Sequence, residues 1–108
     1  MSELRVVNEI RNQIYAFGTA KVWSWGAHAW KAINRETLQF KVRGHHFKGQ
    51  VRVELDVVKD LYKVHFGHYS TAYPGRWKNI ETIEDVYFDS LTDLIDERVE
   101  YIKAYGGN

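Results

Sequence analysis

Cysteine is missing from all 108 residues of this chain, and proline and methionine occur once each. Without thiols there are no disulfides, no thiolate metal centres and no cysteine nucleophile. The lack also fits a reducing compartment. Long apolar runs are missing too: none approaches the ~18 residues of a membrane-spanning helix. The first residues, MSELRVVNEIRNQ, set polar and charged groups among single apolar ones. The apolar centre of a secretory leader is not there. Repeats, low-complexity tracts and a linker between domains are also wanting. These absences lead to one expectation: a single domain over residues 1–108, cytoplasmic, without membrane contact.

What is present is apolar and aromatic. A hydrophobic fraction of 44%, with four Trp, seven Tyr and five Phe, is enough to build a core. The formal charge of +1 hides a split: residues 1–80 carry 13 Lys and Arg against 6 Asp and Glu, and residues 81–108 carry 2 against 8. Two faces of opposite sign, or two halves neutralising each other inside one fold, both satisfy that split.

Val6, Val7, Ile10, Ile14 and Phe17 recur three and four residues apart, the stripe of a helix over Ser2 to Phe17. Ser2 suits its N-cap and Gly18 its stop. Thr19 to Asn34 holds Trp23, Trp25 and Trp30 and reads as an irregular strand broken near Gly26. On a strand Trp23 and Trp25 share a face, as a binding platform or, more commonly for tryptophan, as core.

From Leu38 the pattern is plain. Leu38, Phe40 and Val42 alternate with Gln39, Lys41 and Arg43; Val51, Val53 and Leu55 with Arg52, Glu54 and Asp56; Tyr62, Val64 and Phe66 with Lys63 and His65. Folding about Gly44–Gly49 pairs Val42 with Val51, Phe40 with Val53 and Leu38 with Leu55. Folding about Val57–Asp60 pairs Leu55 with Tyr62, Val53 with Val64 and Val51 with Phe66. Apolar meets apolar in both hairpins, which predicts an antiparallel meander with one buried face.

Tyr73-Pro74-Gly75 marks a turn, and Trp77 to Thr82 a fourth strand. Ile83 to Lys103 has helical period, with Thr82 and Asp85 resembling a capping box. Tyr87, Leu91, Leu94, Ile95, Val99 and Ile102 fall within one arc of about 140°, and Asp85, Asp89, Asp93, Asp96, Glu97 and Glu100 within another of about 120°. The expected fold class is α+β: a two-layer sandwich, with an antiparallel meander sheet of three to five strands and the N- and C-terminal helices on one face.

Motifs that carry chemistry are scarce. No serine sits in a nucleophile elbow, and the glycines form no phosphate-binding loop. His45 and His46 lie in the first turn, His65 and His68 near the end of the third strand, and His28 beside the Trp group. None has the spacing of a metal motif, although antiparallel order brings His45 or His46 toward His68. No cofactor and no catalytic residue is expected, and a small enzyme or metal protein built on His45, His46 and His68 stands as a remote alternative.

Two binding surfaces remain. The acidic helix stripe, Asp85, Asp89, Asp93, Asp96 and Glu100, suits docking to a basic protein surface; the plainer reading is a solvated face. The polar sheet face offers Lys41, Arg43, Arg52 and Lys63, joined by Arg76 and Trp77 from the loop, which suits phosphate contacts with base stacking. Glu54 and Asp56 interrupt that basic face.

One resemblance bears on origin. Gln13-Ile14 closes a helix ahead of Gly26-Ala27. Then follow Leu38-x-Phe40-Lys41-Val42, Lys48-Gly49, Val51-x-Val53-x-Leu55, Asp60-Leu61-Tyr62-x-Val64-x-Phe66-Gly67, and Val86-Tyr87 ahead of Leu91-x-x-Leu94-Ile95. This resembles small uncharacterised proteins of bacteriophages and mobile elements of gut bacteria, over most of residues 5–97. The resemblance implies a small protein that binds a host or phage component in the host cytoplasm, and carries no catalytic residue with it. The expectation is therefore a non-catalytic binding protein acting on a protein partner, through the acidic helix or the aromatic and basic surface, with nucleic acid as the alternative ligand.

Overall fold

A computed structural model of the chain describes residues 5–70 and 75–99. In chain order the elements are α1 (Arg5–Ala16), α2 (Thr19–Ser24), β1 (His28–Asn34), β2 (Thr37–Arg43), β3 (Lys48–Asp56), β4 (Leu61–Tyr69), β5 (Trp77–Val86), a 3-10 turn (Phe88–Ser90) and α3 (Leu91–Val99). The five strands form one antiparallel sheet in sequential order, β1 to β5. This is the expected α+β meander.

Strict alternation puts the apolar residues of β2, β3 and β4 on one face. Leu38, Phe40, Val42, Val51, Val53, Tyr62, Val64 and Phe66 are buried there. Val7, Ile10 and Ile14 of α1 and Leu91, Ile95 and Val99 of α3 close over them. Each large apolar side chain so enclosed contributes roughly 1.5–3 kcal/mol against exposure. Polar contacts join the helices to each other and to the sheet: the buried Thr92 Oγ1 of α3 donates to Ile14 O of α1 at 2.7 Å, and His46 N–H of the β2–β3 turn donates to Val99 O at 2.8 Å.

The second hairpin has the expected register, with Leu55 opposite Tyr62, Val53 opposite Val64, Val51 opposite Phe66 and Arg52 opposite His65. The first is two residues away from it: Phe40 faces Val51, Leu38 faces Val53 and Val42 faces Gly49. A slip of two leaves every side chain on its own face, so the apolar pattern cannot distinguish the two registers. Phe47 decides between them. Its ring meets Phe66 edge-on at 5.6 Å and fills the space where a Gly49 side chain would stand, 2.9 Å from that missing Cβ.

Thr19–Ser24 is helical rather than extended. Two residues apart on a helix, side chains point about 200° apart. Trp25 is accordingly fully buried while Trp23 is 75% exposed. Gly26, at φ 65°, ends α2: its N–H bonds Trp23 O at 3.0 Å and the Ala27 N–H bonds Val22 O at 3.4 Å. That pair is the Schellman arrangement, which needs the left-handed backbone glycine adopts freely. Trp25 stacks on Phe40, and Trp30 of β1 stacks on the same ring with centroids 4.5 Å apart. Two of the three tryptophans thus serve packing.

The helix expected from Ile83 starts instead at Leu91, because β5 runs on to Val86. Ile80, Thr82, Ile83 and Val86 are β-branched and suit an extended chain paired to β4. Thr82 caps no helix, and Tyr87 is 62% exposed beyond the strand rather than part of an apolar stripe. Leu91, Ile95 and Val99 do form the buried stripe of α3. Ser2, Tyr73, Pro74, Glu100, Ile102 and Lys103 lie outside the described residues. Among the described residues no helix is long and apolar enough to cross a membrane.

Candidate functional site

The face of the sheet turned away from the helices carries Lys41 and Arg43 of β2, Lys48 and Arg52 of β3, and Lys63 of β4. Arg43 and Lys48 stand directly opposite each other at the hairpin end. Lys41, Arg43, Lys48 and Lys63 form no ion pair among the described residues. Glu54, directly opposite Lys63, is the nearest carboxylate across the β3–β4 ladder.

Arg52 is the centre of this face. Its Nε donates to Gln39 Oε1 at 2.8 Å and its Nη2 to the Tyr69 hydroxyl at 2.9 Å, while Tyr69 O–H donates to the same Gln39 oxygen at 3.1 Å. Gln39 is only 5% exposed, so these bonds satisfy an amide that would otherwise be costly to bury. The guanidinium plane so held lies 3.8 Å from the Trp77 ring centroid, and Tyr69 meets that ring edge-on at 5.7 Å. Gly67 makes room for the indole. A Cβ there would come 2.7 Å from Trp77 Cζ2 and 2.4 Å from Lys78 O.

The Tyr69 phenol ionises below the ordinary tyrosine range. Burial pushes it the other way, but the hydrogen bond donated by Arg52 and the charges of Arg52 and Lys31 together outweigh burial.

A second chain of bonds leaves Trp77 in the other direction. Trp77 Nε1–H donates to Asn79 Oδ1 at 3.3 Å, and Asn79 Nδ2 donates to Thr82 Oγ1 at 2.9 Å. Thr82 Oγ1 lies 3.0 Å from His65 Nδ1, and His65 Nε2 lies 3.1 Å from Glu54 Oε1. The ends set the direction. An indole only donates and a carboxylate only accepts. Neutral His65 must then carry its proton on Nε2 and accept from Thr82 at Nδ1. In that form every donor in the chain points from Trp77 toward Glu54.

A cleft of about 210 Å³ opens beside this network, lined by Ile33, Asn34, Thr37, Arg52, Glu54, His65 and Trp77. Elsewhere on the face, the Oε1 of Gln50 is buried without a hydrogen-bond partner among the described residues. The fold leaves that acceptor unsatisfied, which is uncommon for a buried polar atom.

Arg76 lies just outside the network, its backbone paired with Ser70: Ser70 N–H donates to Arg76 O at 2.8 Å and Arg76 N–H to Ser70 Oγ at 3.3 Å. The acidic residues are scattered by comparison. Asp85 sits in β5 at φ 57° and pairs with Lys59 at 3.2 Å. Asp89 is in the 3-10 turn. Asp93 pairs with Lys21, and Asp96 accepts from Trp25 Nε1 at 2.9 Å. Asp93 and Asp96 thus tie α3 to α2. The Lys21 ammonium is held above its ordinary pKa, first by its hydrogen bond to Asp93. Glu100 is outside the described residues. His45 and His46 lie in the β2–β3 turn and His68 on β4, and no three metal-ligating side chains gather among the described residues.

Alternation in the sequence reaches Lys41, Arg43, Arg52 and Lys63. It does not reach the Asn79–Thr82–His65 link. Phe66 faces Glu81 and Gly67 faces Asn79, so Ile80 is an extra residue in β5. That bulge moves Thr82 onto the same face as Trp77 and Asn79. No protein-family model, curated protein or solved structure matches the chain.

Proposed function

We propose that this chain is a non-catalytic binding protein whose working surface is the open face of the sheet, and that its ligand is single-stranded nucleic acid. The Arg52 guanidinium stacked on Trp77 carries the reading. Planar groups held within a basic face suit bases, and Lys41, Arg43, Lys48 and Lys63, which form no ion pair among the described residues, suit phosphates. The acidic stripe is a weaker candidate surface, since Asp85, Asp93 and Asp96 already have partners within the fold. On the resemblance of the sequence pattern, we further propose that a bacteriophage or mobile element carries the protein and that it works in the host cytoplasm.

The test is tryptophan fluorescence titration with short single-stranded oligonucleotides, repeated for Lys41→Gln/Arg43→Gln and for Trp77→Phe. About three phosphate contacts predict a roughly twentyfold loss of affinity for a fourfold rise in salt. The double charge variant should flatten that salt dependence. Trp77→Phe keeps an aromatic face, so it should weaken binding at any salt by less than the about 1–3 kcal/mol that loss of a whole stacking ring costs. Oligonucleotides that fail to bind at low salt would overturn the proposal. So would binding indifferent to both variants, or a captured protein partner lost on Asp89→Asn substitution.

A further inference from the structure

We infer that the cleft between Arg52, Glu54, His65 and Trp77 is a base-reading pocket that selects guanine. This rests on the reading of the open face as a nucleic-acid surface and says where, and by what chemistry, a base is recognised on it.

The argument starts from Glu54, which stands among cations and is repulsive to any phosphate. Only a group that donates hydrogen bonds can approach it, and the donors of a nucleic acid are on its base edges. The carboxylate has capacity for this. It can accept about four hydrogen bonds, and among the described residues His65 Nε2–H fills one.

Glu54 and Arg52 are two residues apart on β3, so they share a face about 7 Å apart along the strand. The two polar ends of the cleft are thus a cation and an acceptor-only carboxylate. Guanine offers O6 as acceptor beside N1–H and N2–H₂ as donors, an acceptor–donor–donor edge. Adenine, cytosine and uracil each offer one donor position, with acceptors for the rest. Guanine alone can give Glu54 two parallel hydrogen bonds while turning an acceptor toward Arg52. Nε and Nη2 of Arg52 are committed to Gln39 and Tyr69, which leaves Nη1 for O6.

The size of the cleft agrees. At about 210 Å³ it is below the roughly 300 Å³ at which sites for drug-sized ligands begin, so it suits one heterocycle. Ile33 supplies an apolar contact and the Trp77–Arg52 stack a flat one. The hydrogen-bond chain from Trp77 through Asn79, Thr82 and His65 holds the stacking wall and the reading carboxylate in one frame before the base arrives. Such preorganisation lowers the ordering cost of binding.

The experiment uses the full chain and oligothymidines of about twelve residues, each carrying one central guanine, hypoxanthine, adenine or thymine. Hypoxanthine is guanine without N2. Guanine should bind about tenfold more tightly than hypoxanthine, with adenine and thymine weaker than guanine by at least as much. Glu54→Gln should erase the gap between guanine and hypoxanthine, and should not weaken binding of the all-thymine strand, because a negative charge has left the face. Equal binding of all four strands by the unaltered chain overturns the pocket and leaves the nucleic-acid face standing. A guanine preference that survives Glu54→Gln overturns the role of Glu54. Failure of all four to bind at low salt overturns the pocket and the face together. The comparison of strands on the unaltered chain holds whether or not the variant folds.

Discussion

Gly67→Ala should be among the more damaging single-methyl additions to this protein. The residue is near the C-terminal end of β4 and its backbone is not in the left-handed region, so alanine meets no conformational bar there. The cost comes from space. The added Cβ would stand 2.4 Å from Lys78 O and 2.7 Å from Trp77 Cζ2, roughly an ångström inside ordinary contact. Moving the carbonyl by that much sacrifices a β4–β5 ladder bond, about 1 kcal/mol. Moving the indole off Arg52 and Tyr69 forfeits a cation–π contact of about 0.5–1 kcal/mol and an aromatic pair of about 0.5–1.5 kcal/mol. Stiffening of the unfolded chain returns about 0.4–1 kcal/mol. The net expectation is a loss of about 1–3 kcal/mol, or roughly 4 °C or more in Tm per kcal/mol. Urea unfolding followed by far-UV circular dichroism measures the loss. Near-UV circular dichroism, to which the Trp77–Tyr69 pair contributes, should change as the indole is displaced. A midpoint equal to or above that of the parent chain would refute the placement of Trp77 over β4.

Trp25→Phe removes the donor to Asp96 and trims a fully buried ring; a loss of about 2–4 kcal/mol in urea unfolding is expected, with Asp96→Asn, which keeps an acceptor, costing less. In a spectrophotometric pH titration Tyr69 should ionise below the usual ~10, and Arg52→Gln should move it up, since Arg52 is the chief partner that outweighs burial. Tyr62 should ionise above that value, because burial first and then the charges of Glu9 and Asp60 disfavour its phenolate. The signs are opposite: Tyr62 supports the fold below pH ~10 and loses that support as pH climbs through its folded value, whereas the Tyr69 contribution is present above pH ~10 and fades as pH falls through its folded value.

The parts of the fold legible in the sequence are those where side-chain parity carries the information. Leu55 opposite Tyr62 and Val51 opposite Phe66 follow from alternation together with a short turn. Val42 opposite Gly49 does not, because it depends on Phe47 folding back onto a glycine, a contact between residues that alternation treats as turn. The helix Thr19–Ser24 is too short to show a stripe, and its tryptophans pull the reading toward a strand. For the site, Lys41, Arg43, Arg52 and Lys63 share a face by parity alone. The bulge at Ile80 reverses parity without a side-chain signature, and it hides Thr82 from the same reasoning. Asp93 and Asp96 look like solvent-facing residues in any local window, since Lys21 and Trp25 are 72 and 71 residues distant along the chain.

Those distant partners bear on how the molecule is made. Until Leu91–Val99 has been synthesised, Trp25 lacks its acceptor, the carbonyl of Ile14 lacks Thr92, and the N–H of His46 lacks Val99 O. The core lacks Ile95 and Leu91 as well. A ribosome that has finished the sheet therefore holds an intermediate whose apolar core α1 covers without α3. Completion of this core waits for α3. The yield of folded protein should thus depend on how soon Leu91–Val99 follows β5 out of the ribosome.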